Sequence, residues 1–452
     1  MFLLFLFIFN VFSLIILKLN VLDWESITPA LIFTAFTLIL AARTFFDRYL
    51  VVAFNPIRMF LIIFSLQVTL GAWGFSQGWV IVEKDLLDYQ KWDYFSENVA
   101  ILLAMMSIVF YVDTKFTSQY ISYSRYLRES PGKIQLQKNK FLPLFVLSIF
   151  FIFDLDLSLL GAEGDLAILP KTLVALSICI LIQNLSLPLR VLIYALIVVF
   201  FAMFSIDEKR EAIYLLFPII WLESILRAHV INFRIVRYLI LIFCLVFVLI
   251  IMMSIARGYG GYGEFDSLVN TIPYILKYIH SDIFVSAVLN NVEASYTFFH
   301  TLNSFELIND NFSRLAGGLT IIKPLFIIFP RDAFPLKPDS ILELYTRIND
   351  PSGRELGVSW LISIFGELYW NFHILSFGVL YVVFYIFGRY FISTVAKVSS
   401  SKSISNFIFP MYVYICFLTL VRGSGFDQFF VYIIIGGTFY ILLTKLFTLT
   451  RS

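Results

Sequence analysis

Long apolar runs restrict more than any other feature how this chain can fold. Most are close to the length of about 20 residues that an α-helix needs to cross a bilayer. A run of this kind spans as a helix because its backbone N–H and C=O groups must find partners within the segment. Twelve such runs lie at 2–18, 27–44, 57–74, 97–113, 141–155, 169–185, 189–204, 211–226, 239–255, 374–393, 405–421 and 428–445. The sequence therefore predicts about twelve transmembrane helices.

Composition supports the same fold class. Hydrophobic residues make up 60% of the 452 residues and charged residues only 14%, whereas soluble domains are about 45–50% apolar. The net charge of +2 is too small to attract nucleic acid. Cys179, Cys244 and Cys416 lie in separate apolar runs without a second ligand nearby, so neither disulfides nor a zinc site is indicated. We expect an all-α polytopic membrane helical bundle with no metal, no cofactor and no nucleic-acid partner.

Lysine and arginine in the short loops predict the orientation. Basic residues concentrate on the cytoplasmic side of membrane proteins. They cluster here in four loops and in the C-terminal tail, within residues 43–48, 115–140, 227–237, 397–402 and 445–451. All five clusters fall on one side of the predicted spans, so both termini are expected in the cytoplasm. The first run lacks a basic leader and a small-residue cleavage site, which favours a retained first helix.

One long segment without a predicted span divides the chain into three parts. Residues 1–255 form an N-terminal bundle of about nine spans, 256–373 a large periplasmic loop, and 374–452 the C-terminal transmembrane helices. Loops of this length in compact proteins are usually functional or disordered. Apolar stretches within the loop favour a small helical domain resting on the outer face. The apolar stretch Val358 to Trp370 is too short to span, and we interpret it as an interfacial or re-entrant amphipathic helix.

Several arginines fall on the predicted outer side. Arg422 begins a six-residue hinge, Arg422 to Asp427, between two predicted spans, which places it at the membrane surface. A single arginine in such a place is more often an anchor that reaches lipid headgroups. Several on the face opposite the basic loops indicate a site, and the guanidinium fork suits a diphosphate. The candidate phosphate-binding residues are Arg210, Arg257, Arg422, Arg331 and Arg354.

Two single residues and one acid pair are candidates for acid/base chemistry or for binding a cation. His300 in the long loop is a candidate general base, although a packed histidine is the more frequent case. Glu367 is an acid in an otherwise apolar helix, which suits acid/base work or capping. Asp154-Leu155-Asp156 has the spacing of a cation-binding acid pair, but two acids at a span end are commonplace.

At this point the chain resembles the Wzy-type O-antigen or oligosaccharide repeat-unit polymerases, which share their architecture with O-antigen ligases. The resemblance covers most of the chain in topology and rests on short motifs: Arg210 before an apolar span, Arg257 opening the loop, Pro330-Arg331 with Lys337-Pro338, Gly366-Glu367-Leu368-Tyr369 with Asn371-Phe372, and Arg422-Gly423 with Asp427. It implies a metal-independent, inverting glycosyltransferase of the bacterial inner membrane. Its partners would be undecaprenyl-diphosphate-linked oligosaccharides, membrane lipids and a chain-length regulator protein.

The chemistry of the residues agrees with this resemblance. A polyprenyl diphosphate is already a good leaving group, so the protein mainly has to stabilise departing negative charge and orient an acceptor hydroxyl. A lipid-linked glycan flippase would show two similar halves and no dominant loop. A metal-dependent glycosyltransferase using polyprenyl phosphate would depend on Asp154 and Asp156.

Overall fold

The chain is helical throughout the part that the structure describes. This computed structural model describes residues 2–19, 27–79, 92–129, 168–204, 209–227, 229–256, 258, 261, 265, 268–326, 334, 336–355, 357–401, 407–423 and 425–449. No β-strand occurs within these residues, where the only extended pairing is one isolated bridge. The predicted all-α class is confirmed.

Nineteen α-helices can be followed through the described residues, joined in places by short 3-10 turns. Before residue 257 they are α1 (Phe2–Leu19), α2 (Ile27–Phe46), α3 (Leu50–Ala53), α4 (Pro56–Ser76), α5 (Phe95–Glu129), α6 (Ile168–Leu181), α7 (Leu187–Phe204), α8 (Lys209–Arg227) and α9 (Phe233–Ala256). Within the long segment they are α10 (Ile275–Ile279), α11 (Phe284–Asn291), α12 (Ala294–Asp310), α13 (Leu319–Ile322), α14 (Ile341–Asn349), α15 (Pro351–Glu355) and α16 (Ile364–Phe372). The chain then forms α17 (Ser376–Ser401), α18 (Ile408–Arg422) and α19 (Gly425–Leu449).

The predicted spans coincide with helices wherever the structure describes them. The run 141–155 lies outside the described residues. Five helical stretches among the described residues are long and apolar enough to cross a membrane: Ile27–Phe46, Pro56–Ser76, Phe95–Tyr126, Ile235–Ala256 and Ile364–Val398. A helical membrane bundle accounts for these lengths, and the count of twelve spans stays a prediction.

Two loops that are predicted to be cytoplasmic contact one another. The backbone N–H of Leu50 donates to the carbonyl of His229 at 3.0 Å, and the N–H of Ile231 donates to the carbonyl of Arg48 at 2.8 Å. These bonds form a short antiparallel bridge between the loop after α2 and the loop after α8. Contact between these loops is expected if both lie on one side of the membrane.

A buried ion network joins α2, α4 and α5 at that same end of the bundle. Arg58 is fully buried, and it donates from Nε to Asp113 Oδ2 at 2.9 Å and from one terminal nitrogen to Thr117 Oγ1 at 3.0 Å. Its other terminal nitrogen binds Asp47. Asn55 caps α4 and donates to Asp113 Oδ1 at 2.9 Å. The guanidinium is therefore compensated on all sides, as a buried cation requires.

Helix α12, from the long segment, packs inside the bundle. The Val292 carbonyl just before it accepts a hydrogen bond at 2.9 Å from Gln67, which lies halfway along α4. Gly71 one turn later allows the close approach, because a Cβ there would overlap the Ala294 carbonyl and the Phe298 side chain. Most side chains of α12 are buried. Part of the segment predicted to rest on the outer face is thus a core element, and several of its buried side chains are polar.

Helix α16 is buried rather than amphipathic. Its residues Ile364 to Asn371 are all buried, and Phe365 packs against Phe64 of α4 with ring centroids 4.5 Å apart. The helix ends where His373 adopts a left-handed conformation with φ of 45°, and α17 begins three residues later. The predicted helix exists, but α12 and α17 pack on it and it has no exposed polar face. Its interfacial or re-entrant position in the membrane stays a prediction.

The predicted orientation can be tested by cysteine labelling. Ser359→Cys lies in the long segment and Ser122→Cys in the C-terminal part of α5, and both positions are exposed. In a Cys244→Ser background, which removes the exposed native thiol, a membrane-impermeant maleimide should label position 359 in intact spheroplasts. Position 122 should react only after permeabilisation. Labelling at position 122 but not at position 359 in intact spheroplasts would show that the predicted orientation is reversed.

Candidate functional site

Glu367 lies at the meeting point of three chain segments. Its side chain is fully buried, at 0% exposure. Oε1 accepts a hydrogen bond from the Thr320 hydroxyl at 3.1 Å, and Oε2 accepts one from the backbone N–H of Phe426 at 2.8 Å. One carboxyl group on α16 therefore holds both the segment around α13 and the first turn of α19.

Asn371, one turn further along α16, fixes the direction of the Thr320 contact. Its side-chain amide donates to Thr320 Oγ1 at 2.7 Å and to the Glu367 carbonyl at 2.8 Å. Its Oδ1 accepts from the N–H of Gly318 at 3.0 Å. A threonine hydroxyl has one proton and two lone pairs, so Thr320 accepts from Asn371 and donates its proton to Glu367 at the same time. A hydroxyl thus donates to the buried carboxyl.

A chain of ion pairs leads from the hinge beside this carboxyl to the surface. Asp427 follows Phe426, and its carboxylate lies 3.2 Å from Lys323 Nζ. Lys323 also lies 3.4 Å from Glu343, which accepts from Arg354 at 3.1 Å. The side chains of Lys323 and Arg354 are 21% and 34% exposed, so the cationic edge of the group is open. We call Thr320, Lys323, Glu343, Arg354, Glu367, Asn371 and Asp427 the Glu367 cluster.

Glu343 is held in its ionised form. Partial burial acts to raise its pKa, but the Ser340 backbone N–H, the Lys323 ammonium and the Ser340 hydroxyl bond outweigh burial and lower the pKa to about 2. Ser340 and Glu343 form the capping box that begins α14. Because the folded-state pKa is depressed, the stabilisation is present above the ordinary carboxyl pKa and is lost as the pH falls toward 2.

The hinge between α18 and α19 is covered by the long segment. Gly423 has φ of 92°, and a Cβ there would overlap the Ile362 carbonyl. Gly423, Phe426 and Asp427 are all buried. Arg422 is the last residue of α18. The hinge packs against Ile341 and Ile362 of the long segment, because two left-handed glycines let the turn approach its neighbours closely. Its place at the membrane surface stays a prediction.

His300 belongs to a separate aromatic group. Its side chain is 2% exposed, and its ring lies 5.9 Å from that of Tyr296 and 5.4 Å from that of Trp360, which are themselves 6.1 Å apart. Its Nδ1 lies 2.7 Å from the hydroxyl of Tyr345, which also accepts from Asn303 at 3.0 Å. The structure does not bring His300 into the Glu367 cluster, although Tyr345 and Glu343 lie on the same helix, α14.

The other predicted site residues fall in different places. Arg354 belongs to the Glu367 cluster, and Arg210 lies in the first turn of α8. Arg257, Arg331 and the pair at 154 and 156 lie outside the described residues. In the parts of the chain that the structure describes, no three His, Cys, Asp or Glu side chains form a group that could hold a metal ion.

Sequence reasoning missed several members of the cluster. Thr320, Lys323 and Glu343 carried no sequence signal for a site. The spacing of Ser340 and Glu343 does match a capping box, and it could have located the start of α14.

No protein-family model matches the sequence, and no curated protein or solved structure matches the chain. The chemistry of the Glu367 cluster and the pattern of the sequence therefore carry the functional inference.

Proposed function

We propose that this protein is a multi-pass membrane glycosyltransferase that polymerises oligosaccharide repeat units carried on undecaprenyl diphosphate at the periplasmic face of a bacterial inner membrane. The observation that carries the proposal is the Glu367 cluster. A fully buried carboxyl joins the hinge that bears Arg422 to a segment whose partly exposed edge holds Lys323 and Arg354. Charged groups within a membrane protein are candidates for function because they are costly to place there.

Arginine and lysine side chains would stabilise the diphosphate leaving group. In the transfer, the bond between the anomeric carbon and the diphosphate of the donor breaks, and the diphosphate departs with the electron pair. Fixed cations stabilise that charge without reorganisation. Arg354 is bound to Glu343 and Lys323 to both Glu343 and Asp427, so a diphosphate has to compete with these carboxylates. We assign the diphosphate to Arg422 and Arg354, with Arg210, Arg257 and Arg331 as further candidates.

Glu367 is the preferred base. The acceptor hydroxyl oxygen attacks the anomeric carbon from the face opposite the diphosphate, which inverts the configuration, and its proton passes to a carboxylate. Glu367 already accepts a hydrogen bond from a hydroxyl, that of Thr320. An acceptor sugar that displaced Thr320 would place its own hydroxyl in the same position. His300 is the second candidate, but its side chain is buried in an aromatic group with Tyr296 and Trp360.

A reconstituted assay tests the function. The purified protein in nanodiscs, supplied with undecaprenyl-diphosphate-linked repeat units and excess EDTA, should form a ladder of polymers, because arginines supply the charge that a cation would otherwise supply. Activity that disappears in EDTA and returns with magnesium would indicate a metal-dependent transferase, with positions 154 and 156 as its site. Transfer to a lipid A core without polymer would indicate a ligase. Movement of intact lipid-linked glycan across vesicles without polymer would indicate a flippase.

Arg422→Lys should lower polymer formation roughly 10- to 100-fold, close to the effect of Arg422→Ala, while the protein still folds and inserts. Lysine keeps the charge but makes a point contact, which does not replace a bidentate contact to a diphosphate. Glycan ladders from cells that lack the native gene measure the effect, with expression checked for each variant.

Arg347→Lys is the matched control. Arg347 also lies in the long segment, but it is 60% exposed and pairs with Asp339 on the surface. Its variant should give full-length ladders. Full-length ladders from Arg422→Lys as well would show that Arg422 contributes only charge or anchoring.

A further inference from the structure

A short stretch of the long segment presents a row of exposed apolar side chains. A 3-10 helix, Leu268–Tyr274, continues directly into α10. The exposed side chains Val269 at 54%, Ile272 at 54%, Leu276 at 73% and Ile279 at 38% follow one another along it. Steps of three, four and three residues place them on one face of a helix. Residues 268–279 thus present an exposed apolar face.

The opposite face of this stretch is fixed to the end of α9. Tyr278 is fully buried and packs with Ile251 and Ile255. Its hydroxyl lies 2.5 Å from Ser254 Oγ, which also accepts from Asn291 at 2.6 Å. These contacts set the rotation of the helix, so the apolar row points away from the bundle.

The position beside α9 indicates what the row faces. Helix α9 contains the candidate span Ile235–Ala256. One side of α9 is apolar and exposed, with Leu241 58% exposed and Phe247 46% exposed. Residues 251–256 are largely buried, because the stretch 268–291 covers them. At the C-terminal end of this candidate span, the exposed apolar row at 269–279 therefore takes the place of the covered side of α9. A surface in water at that place would be expected to be polar.

We infer that residues 268–279 are an interfacial lipid-binding element, lying in the membrane plane with the apolar row in the acyl-chain boundary of the bilayer. The polar residues Asn270 and Lys277 are exposed to the side of the row, where headgroups would lie. Helices of this kind bury one apolar face about 5–10 Å into the boundary between headgroups and chains. Lipid is favoured over a protein partner because the row continues the exposed apolar side of α9. This stretch is then an interfacial helix, in addition to the predicted one at Val358 to Trp370.

Spin labelling in proteoliposomes tests the inference. Leu276→Cys and its neighbour Lys277→Cys, each in the Cys244→Ser background, carry a nitroxide whose collisions with oxygen and with nickel ethylenediaminediacetate are measured. Oxygen concentrates in the acyl region and the nickel complex in water. The logarithm of the oxygen to nickel ratio should be positive at position 276 and should fall to zero or below at position 277.

Two results would overturn the inference. Equal nickel accessibility at both positions would place the row in water. An immobile label at position 276 that neither reagent reaches would show that protein, from a second copy or a partner, covers the row. Both readings are independent of enzymatic activity, so they stand apart from the proposed function.

Discussion

Glu367→Gln should reduce polymer formation by roughly 10²- to 10⁴-fold, the usual contribution of a general base, while the protein still folds and inserts. Glutamine has nearly the same shape, and its carbonyl oxygen can accept one of the two hydrogen bonds from Thr320 and Phe426. It cannot take up the proton of an acceptor hydroxyl. The rate of ladder formation by purified protein in nanodiscs measures the loss, and gel filtration in detergent checks the fold.

Glu367→Leu separates the structural part of the role from the chemical part. It leaves the buried N–H of Phe426 and the buried hydroxyl of Thr320 without an acceptor, at a cost of about 1–3 kcal/mol for each group. We expect a lower thermal unfolding temperature in addition to the loss of activity. Glu306→Gln is the control for replacing a buried acid by its amide. Glu306 is also buried and accepts hydrogen bonds from the N–H of Asp93 and the amide of Asn98. If Glu367→Gln had normal stability and full activity, Glu367 would not be the general base.

Gly423→Ala should destabilise the folded protein by about 2–5 kcal/mol and prevent polymer formation. The left-handed backbone costs an alanine about 1–2 kcal/mol, and the overlap of its Cβ with the Ile362 carbonyl adds about 1–3 kcal/mol of overpacking. Relief of the overlap moves the hinge away from α16, which breaks the bond between Phe426 and Glu367. Thermal unfolding in detergent measures the first effect and glycan ladders the second.

Two other glycines separate the components of that effect. Gly357 has φ of 85° with no atom within 4 Å of an added Cβ, so Gly357→Ala reports left-handed strain alone. Gly378 also has open space and carries no left-handed conformation, so Gly378→Ala should be neutral. A Gly423→Ala protein as stable as Gly378→Ala would contradict the packing of the hinge on Ile362.

The membrane helices could be predicted because their signal is local. Each depends on a run of apolar residues, and helices coincide with the runs wherever the structure describes them. The burial of α12 and α16 could not be predicted in this way. Gln67 and Val292 are joined across 225 residues, and nothing near either position indicates the contact.

The site was predictable only where one residue stood out from its surroundings. Glu367 was identified because a carboxyl is unusual in an apolar helix. Lys323 is a charge in the apolar run Leu319 to Phe329 and Asp427 lies in the hinge, but their pairing depends on the tertiary fold. His300 was selected by residue type alone, and its aromatic surroundings come from Trp360, sixty residues later in the sequence.

The packing of α12 also has a consequence for biosynthesis. Helices α2, α4 and α5, on which α12 packs through Phe33 and Gly71 among others, are all synthesised before it. A platform for the long segment is therefore complete when that segment leaves the ribosome. The hinge after α18 is made late, and its Phe426 N–H is the final partner of Glu367. A nascent chain that stops before residue 408 would have the platform and the carboxyl but not the hinge, so the Glu367 cluster is completed only when translation is nearly finished.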